Sequence, residues 1–294
     1  ILYALQKAGS VSFMELMVQV INFVSLLIIK QKTNGNLFTM AVIYGTSMII
    51  VNLAASFFIY GKKKEIRPEI TQANMEVGIG LTKLGIQFFV IQVCTLILFT
   101  TDNLIISYLY GAVKVTPYST VIKMFQAITG LYAALLTPVW SAVTKIKTEH
   151  QYNRLEEMIK KLRLIMLPFA VGVILLMIVF RPVMKIWLRQ ELDFDSSLIV
   201  FGGIYCLLNN WCNTYASVAN GLELMTVSIW VAGIQAIINI PLSLIFAEKF
   251  GMKSTGVLAG TVVSMMIAAV IQPIAVKKEI KKSMRNKLHA GEMR

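Results

Sequence analysis

Long apolar runs are the feature that most constrains this chain. A helix that crosses a bilayer needs about 20 predominantly apolar residues, and the sequence contains eight runs of that kind. None of them alternates apolar and polar residues as the strands of a membrane β-barrel do. The pattern predicts an all-α, polytopic membrane bundle of about eight transmembrane helices, at residues 10–29, 37–60, 84–108, 116–140, 164–188, 197–220, 226–248 and 254–276.

The composition agrees with a membrane protein and argues against a soluble one. Of the 294 residues, 56% are hydrophobic and 15% are charged, whereas a soluble domain has about 25% charged residues. The formal net charge is +13, but the basic residues lack the interleaved aromatic side chains that stack on bases. We therefore expect contacts with membrane lipids and no nucleic-acid partner.

Lys and Arg residues are distributed unevenly between two sets of connections. Most of the 28 lie in the set that includes 61–83, 145–163 and 277–294. Because cytoplasmic loops carry an excess of Lys and Arg, this set is predicted to be cytoplasmic. The segment 61–83 is the longest break before the third run, so we place a domain boundary there. The segment 277–294 is predicted to be a frayed basic tail on anionic lipid.

Two neighbouring runs carry a carboxylate and an ammonium group. Asp102, followed by Asn103, lies near the end of the run 84–108. Lys123 lies about 10 Å inside the next run at 1.5 Å per residue. If the two runs form antiparallel helices joined at residues 110–114, both charges lie at a similar depth. Ionisable side chains inside a membrane are rare, and they face a partner or a water-filled cavity.

The residues alone leave alternatives open for each charge. Asp102 is either a proton or cation site, a contact for a polar substrate, or a hydrated residue near the outer interface. Lys123 either neutralises Asp102, attracts an anionic head group, or snorkels to the interface. Arg181 begins a basic stripe with Lys185 and Arg189, which suits either a phosphate group or interfacial anchoring.

Amide residues recur at helical spacing in the sixth and seventh runs. Asn209 and Asn213 are four residues apart, as are Gln235 and Asn239, so each pair shares one helix face. Such faces either make hydrogen bonds between helices or line a polar cavity. Pro241 is expected to kink or break the seventh helix.

Catalytic and metal-binding patterns are not found in the sequence. The two His residues, His150 and His289, lie in a predicted connection and in the tail. The three Cys residues, Cys94, Cys206 and Cys212, fall in apolar runs and lack CxxC spacing, as expected for small buried hydrophobic residues. No phosphate-binding glycine loop or Ser/His/Asp set is present. We therefore expect no enzyme activity, no cofactor and no metal ion.

Three short segments carry a resemblance to a known protein family through their order and spacing. They are Asp102–Gly111 (DNLIISYLYG), Val115–Tyr118 (VTPY) and Leu136–Ala142 (LTPVWSA). Their order and spacing resemble those of Wzx-type oligosaccharide flippases, which belong to the multidrug/oligosaccharidyl-lipid/polysaccharide (MOP) exporter superfamily. The opening Leu5-Gln6-Lys7 resembles the middle of such proteins, so we expect that an N-terminal portion is missing from this sequence.

The resemblance implies an architecture. Proteins of this family have about twelve helices in two six-helix bundles around a central cavity. Residues 1–60 would hold the last helices of the first bundle, and 61–83 would be the cytoplasmic connection between bundles. Residues 84–276 would form the complete second bundle, followed by the basic tail 277–294.

The resemblance also implies a function. Family members move polyprenyl-pyrophosphate-linked oligosaccharides, such as repeat units of O-antigen, capsule or exopolysaccharide, across the bacterial cytoplasmic membrane by alternating access. Asp102 would couple this movement to protons or sodium ions, and Lys123 and Arg181 would hold the pyrophosphate. The alternatives are a multidrug or cation antiporter of the same superfamily, a membrane polysaccharide polymerase or ligase, and a scaffold of a cell-envelope complex.

Overall fold

The computed structural model describes residues 2, 8–30, 36–62, 64–69, 74–189 and 193–292. Within these ranges the chain forms eight long helices and no strand, which confirms the all-α prediction. A 3-10 turn at Lys64–Ile66 follows the second helix, and a π-helical turn at Ile245–Lys249 follows the seventh. The helices are α1 (Ala8–Lys30), α2 (Leu37–Lys62), α3 (Met75–Tyr110), α4 (Ala112–Thr148), α5 (Tyr152–Leu188), α6 (Ser196–Gly221), α7 (Met225–Leu244) and α8 (Lys253–Glu292).

Seven of these eight helices are long and apolar enough to cross a membrane. The exception is α6, because its C-terminal half carries four asparagines that lower its mean hydropathy, Asn209, Asn210, Asn213 and Asn220. Helices α3, α4 and α5 have 36 or 37 residues. At 1.5 Å per residue they are about 54 Å long, so they extend beyond a hydrocarbon layer of about 30 Å.

Three helix ends differ from the sequence-based expectation. Helix α3 begins at Met75 instead of residue 84. Its first turns contain polar residues such as Glu76 and Lys83, so the helix extends beyond the apolar run on which the prediction was based. Helix α8 continues to Glu292, so the described residues 277–292 are helical where a frayed tail was expected. This stretch is rich in Lys, which favours helix. Pro241 lies inside α7 without breaking it, since the helix continues to Leu244 before the π-helical turn, and a kink at Pro241 stays a prediction.

A single glycine joins α3 to α4. Helix α3 ends at Tyr110, α4 begins at Ala112, and Gly111 between them has φ +84°. Glycine adopts this backbone conformation at no steric cost, whereas most residues would be strained. The turn is short enough for the end of α3 and the start of α4 to meet, as the hydrogen bond between Tyr118 and Asp102 shows. It therefore brings residues at similar distances from Gly111, such as Asp102 and Tyr118, to a similar level.

The chain divides into two compact units, Ile1–Ile79 and Gly80–Arg294. In the first unit α1 packs on α2. In the second unit α6 is central, because it packs against α4, α5 and α8, and α7 packs against α8. The assignment of these segments to two transporter bundles stays a prediction.

Two glycines of α8 allow it to approach the end of α7 closely. A Cβ atom added at Gly256 would lie 2.5 Å from the carbonyl carbon of Phe246, and one at Gly260 would lie 2.5 Å from the backbone nitrogen of Ser243. Small residues spaced four apart let helix backbones meet in this way inside membranes. The contact fixes the position of Thr261, which follows Gly260 and belongs to the candidate site.

Candidate functional site

Asp102 lies at the point where α3, α4 and α8 meet. Its side chain is 2% exposed. The Tyr118 hydroxyl of α4 donates a hydrogen bond to Asp102 Oδ2 over 2.6 Å. The Thr261 hydroxyl of α8 lies 3.0 Å from Oδ1 and 2.8 Å from Oδ2. The carboxylate is therefore held by hydroxyl groups of two other helices.

Helix α7 joins this arrangement through Asn239. Its Nδ2 atom donates a hydrogen bond to Thr261 Oγ1 over 2.8 Å, so Thr261 accepts from Asn239 and donates to Asp102. Asn239 is fully buried, and its Oδ1 atom has no hydrogen-bond partner among the described residues. We call Asp102, Tyr118, Thr261 and Asn239 the carboxylate network. It connects α3, α4, α7 and α8.

A small cavity of about 100 Å³ lies beside the carboxylate network. We call it the charged cavity, because both Asp102 and Lys123 line it. Its other lining residues are Phe99, Asn103, Tyr118, Ser119, Ile122, Gln126 and Tyr205. A single water molecule needs about 10–15 Å³ of such space, so several waters fit beside the carboxylate.

Lys123 does not form an ion pair with Asp102 in the described structure. Its side chain is exposed, while the Asp102 oxygens are bonded to the two hydroxyl groups. A direct ion pair between Lys123 and Asp102 is therefore not part of the described structure, and neutralisation of Asp102 by Lys123 stays a prediction. Asn103 is half-buried beside the same cavity, and its Oδ1 atom has no partner among the described residues. The cavity thus offers a free ammonium group and an unused acceptor.

The carboxylate network can exchange a proton or a small cation with the charged cavity. A buried carboxylate is costly to keep ionised unless it is paired or hydrogen-bonded. The hydroxyl groups of Tyr118 and Thr261 offset part of this cost, and no positive side chain contacts Asp102 in the described ranges. A proton or cation that arrives through the cavity would remove the negative charge and weaken the two hydrogen bonds.

Arg181 lies outside the charged cavity. Its Nη2 atom donates to the Phe194 carbonyl over 3.2 Å and to the Ser196 hydroxyl over 2.8 Å. It thereby connects the end of α5 to the start of α6, where Asp195 caps the helix by accepting from the Ser197 backbone N–H. The structure does not bring Arg181 and Lys123 together in one cavity.

Some of the amide residues make hydrogen bonds between helices and others line a polar cavity, which are the two interpretations that the sequence left open. Asn239 bonds between helices, as described. Gln235 does both, because its Nε2 atom donates to the Ser264 carbonyl over 3.4 Å and its side chain lines a second cavity. Asn209 and Asn213 line that cavity. Its volume is about 140 Å³, and we call it the amide cavity because Asn220 and Gln272 line it as well.

Several site residues were missed from the sequence. Tyr118 stands in a motif that carried the family resemblance, but nothing in the pattern pointed to a bond with Asp102. Thr261 lies in an apolar run of α8, where threonine is common and unremarkable. Gln272 lies on the same face of α8 as Met265 and Ala268, which also line the amide cavity. As a single amide in an apolar run, it could have been identified from the sequence. Among the described residues, no group of three His, Cys, Asp or Glu side chains is placed to hold a metal ion.

Two curated proteins of Salmonella are similar to part of the chain. Both bear the name "Putative O-antigen transporter". The protein of Salmonella typhimurium is 23% identical over 182 residues, and that of Salmonella typhi is 24% identical over 183 residues. Each alignment covers 61% of this chain and 42% of the relative, so the chain matches less than half of the length of these relatives. No protein-family model matches the chain.

A solved structure shares the fold. It is the outward-facing conformation of a multidrug resistance MATE family transporter of the MOP superfamily. The match has a TM-score of 0.74 and 12% sequence identity, and it covers 95% of this chain and 64% of the other. The relatives and this neighbour together support the resemblance to a Wzx-type flippase of the MOP superfamily. With seven apolar helices of membrane-spanning length, the chain is a multi-pass membrane protein.

Proposed function

We propose that this chain is part of a flippase that moves polyprenyl-pyrophosphate-linked oligosaccharide across the bacterial cytoplasmic membrane. The cargo is a repeat unit of O-antigen, capsule or exopolysaccharide, and movement occurs by alternating access coupled to protons or sodium ions. The chain contributes α1 and α2 as the last helices of one bundle and α3–α8 as the second bundle. In this proposal it is a transporter and not an enzyme.

The observation that carries the proposal is the charged cavity inside a bundle with a transporter's fold. A sugar head group cannot enter hydrocarbon unaided, because its hydroxyl groups would lose their hydrogen bonds to water. A hydrated cavity between helices lowers that barrier while the polyprenyl chain stays in lipid. The similarity to the two Salmonella proteins supports an oligosaccharide as the cargo.

The charged residues of the predicted site, and Asn103 beside them, take the following roles in this proposal. Asp102 takes up the coupling ion, because it is the buried carboxylate of the network and lines the cavity. Lys123 attracts the pyrophosphate, because its side chain is exposed and does not pair with Asp102. Asn103 offers a hydrogen-bond acceptor at the same cavity. Arg181 has no role at the charged cavity, because its guanidinium group bonds to Phe194 and Ser196, and a contact between Arg181 and the pyrophosphate stays a prediction.

The test is complementation in cells that make the polysaccharide and lack this protein. Depletion is expected to cause lipid-linked oligosaccharide to accumulate on the cytoplasmic leaflet, and the wild-type chain reverses this. Lys123→Gln is expected to restore export poorly. Lys114→Gln is the matched control, because Lys114 is an exposed lysine of α4 outside the cavity. Export by Lys123→Gln equal to that of the control contradicts the role of Lys123.

A multidrug or cation antiporter is the second candidate, and the buried carboxylate of Asp102 favours it. A cationic substrate would bind a free carboxylate, whereas Lys123 at the same cavity repels it. Efflux of cationic dyes from cells that overproduce the protein distinguishes the two functions. Dye efflux without any effect on lipid-linked oligosaccharide would overturn the flippase proposal.

A further inference from the structure

The amide cavity is built from one face of each of four helices. Helix α6 contributes Asn209, Asn213, Ala216 and Asn220, which follow one another at helical spacing. Cys212 of α6 lines the cavity as well, and helices α3, α7 and α8 contribute the other lining residues, among them Thr95, Ser228, Gln235 and Gln272. Five carboxamides and two hydroxyl groups therefore converge on a space of about 140 Å³. That is roughly ten times the space that one water molecule needs.

No acidic or basic side chain lines this cavity among the described residues. An ion that entered it would lose hydration without gaining a counterion, which is strongly unfavourable in a membrane interior. A pyrophosphate group or a cationic drug therefore does not fit the lining. The occupant that suits these side chains is polar and uncharged.

Carboxamides offer both donors and acceptors, which is the pattern that hydroxyl groups require. Asn209 and Asn213 make no side-chain hydrogen bond to another described residue. Gln272 is 8% exposed, and its Oε1 atom is buried without a partner in the described part of the chain. A buried acceptor of this kind is costly to leave unpaired, so it favours a ligand that donates hydrogen bonds. The apolar side chains of Leu98, Val231 and Met265 offer surface for C–H groups.

The amide cavity adjoins the charged cavity. Phe99 lines both of them, and its ring meets that of Tyr205 edge-on with centroids 5.9 Å apart. A ligand that occupied both cavities would have an anionic group near Lys123 and an uncharged, hydroxyl-bearing group directly next to it. A sugar attached to a pyrophosphate has this arrangement of groups.

We propose that the amide cavity is the binding site for a sugar ring of the lipid-linked cargo, next to the pyrophosphate at Lys123. The inference rests on the proposed function and extends it, because it assigns the glycan and the phosphates to different cavities of the second unit. Asn209, Asn213 and Gln272 bond the sugar hydroxyl groups. Phe99 lies between the two binding sites.

The test measures binding of two lipids to the protein as its own cells make it, purified in detergent. One probe is polyprenyl pyrophosphate without sugar, and the other is polyprenyl pyrophosphate that bears an oligosaccharide. Asn209→Leu and Asn213→Leu each remove hydrogen-bonding groups from the cavity. Each is expected to weaken binding of the sugar-bearing lipid about three- to tenfold, and to leave binding of the sugar-free lipid unchanged.

Gln92→Leu is the matched control, because Gln92 is an exposed amide of α3 that does not line the cavity. It is expected to bind both lipids as the wild type does. Asn213→Ala serves where leucine prevents folding, and it is expected to show the same selective loss. Unchanged binding of the sugar-bearing lipid by the folded variants shows a cavity filled by water only and overturns the inference. An equal loss for both lipids also overturns it, since it indicates a general distortion.

The outcome separates the inference from the function on which it rests. A wild-type protein that binds the sugar-bearing lipid more tightly than the sugar-free one agrees with both. A wild-type protein that binds both lipids equally overturns the sugar site and leaves the flippase proposal standing. A wild-type protein that binds neither lipid overturns the proposed function, and the sugar site with it.

Discussion

Asp102 is a buried carboxylate whose partners in the described structure are hydroxyl groups, although charged residues are rarely buried unless they are paired. Tyr118 and Thr261 each donate to the carboxylate, while Lys123 lies at the same cavity without contacting it. Such neutral partners can stay in place whether or not the carboxylate carries a charge. Asp102 can therefore gain and lose an ion without breaking up the contact between α3, α4 and α8.

Tyr118→Phe tests the hydrogen bond of 2.6 Å to Asp102. The substitution keeps the ring and removes only the hydroxyl group, so one acceptor of the buried carboxylate loses its donor. We expect the free energy of unfolding to fall by about 1–2 kcal/mol, measured as thermal unfolding of the detergent-solubilised protein. Tyr108→Phe is the control, because Tyr108 is 89% exposed on α3, and it is expected to have no effect.

A double-mutant cycle identifies the partner of Tyr118. If the hydroxyl group acts through Asp102, then Tyr118→Phe combined with Asp102→Asn is less destabilising than the sum of the single changes. Additive effects of the two changes would mean that the hydroxyl group stabilises the protein through another contact.

Asp102→Asn tests ion coupling. Asparagine has nearly the shape of aspartate but carries no negative charge at any pH, so it cannot bind a proton or a sodium ion as a carboxylate does. We expect export of lipid-linked oligosaccharide to fall by about 5- to 150-fold, which is the factor that corresponds to a typical coupling free energy between two sites. The remaining export should no longer respond to a collapse of the proton or sodium gradient, whereas wild-type export responds to one of them. Gradient-dependent export by Asp102→Asn would rule out Asp102 as the coupling site.

At the residue scale, the sequence identified the charges but not their partners. Asp102 and Lys123 stand out because ionisable residues are rare in apolar runs. Tyr118 and Thr261 do not stand out, since hydroxyl residues are ordinary in membrane helices. Thr261 is 159 positions from Asp102 along the chain, so their contact depends on the packing of α8 against α3. The pattern of residues around either position does not predict this contact.

Two glycines of α8 determine how closely this helix approaches α7. Gly256 and Gly260 meet the backbone of α7 and of its π-helical turn, and Thr261 follows directly. The same close contact brings Asn239 of α7 within 2.8 Å of Thr261 Oγ1. The carboxylate network is therefore sensitive to the separation between α7 and α8.

Gly260→Ala tests this contact. The added Cβ atom would lie 2.5 Å from Ser243 N and 2.6 Å from Ser243 Cα, so α7 and α8 must move apart. We expect a loss of about 1–3 kcal/mol in the free energy of unfolding, together with weaker export because Asn239 and Thr261 separate. The free energy of unfolding is measured on the purified variant, and export is measured in cells that express it.

Gly233→Ala is the matched control for Gly260→Ala. Gly233 lies within α7, and a Cβ atom added there meets nothing within 4 Å. Alanine is a better helix former than glycine by about 0.5–1 kcal/mol, so this variant is expected to be as stable as the wild type or more stable. A Gly260→Ala protein as stable as Gly233→Ala would show that the helices are not in close contact at that position.

At the element scale, the sequence was informative about the existence of helices and less so about their ends. The apolar runs predicted every long helix of the described ranges, because membrane helices must be apolar over about 20 residues. The runs did not show that α3 begins at Met75 or that α8 reaches Glu292, since polar residues outside the hydrocarbon layer continue a helix without lengthening its apolar part. The amide spacing predicted shared faces on α6 and α7, but packing decided which amides bond and which line a cavity.

In the molecule as a whole, both cavities lie within the second unit and share Phe99. Along α3, Thr95 of the amide cavity and Asn103 of the charged cavity are about 12 Å apart at 1.5 Å per residue. The two cavities are therefore arranged one after the other along the helix direction. If α3 runs from the cytoplasm outward, the amide cavity lies on the cytoplasmic side of the charged cavity, and in the proposed flippase the cargo meets it there.

Labelling of introduced cysteines tests this orientation. The excess of Lys and Arg predicts that the α3–α4 turn faces outward and that the α4–α5 connection faces the cytoplasm. Val113 beside the first is 83% exposed, and Glu149 in the second is exposed as well. In intact cells we expect a membrane-impermeant maleimide to label Val113→Cys, and to label Glu149→Cys only after permeabilisation. The unmodified chain measures the background from Cys94, Cys206 and Cys212. The opposite labelling would reverse the orientation of α3, and with it the order in which the cargo meets the two cavities.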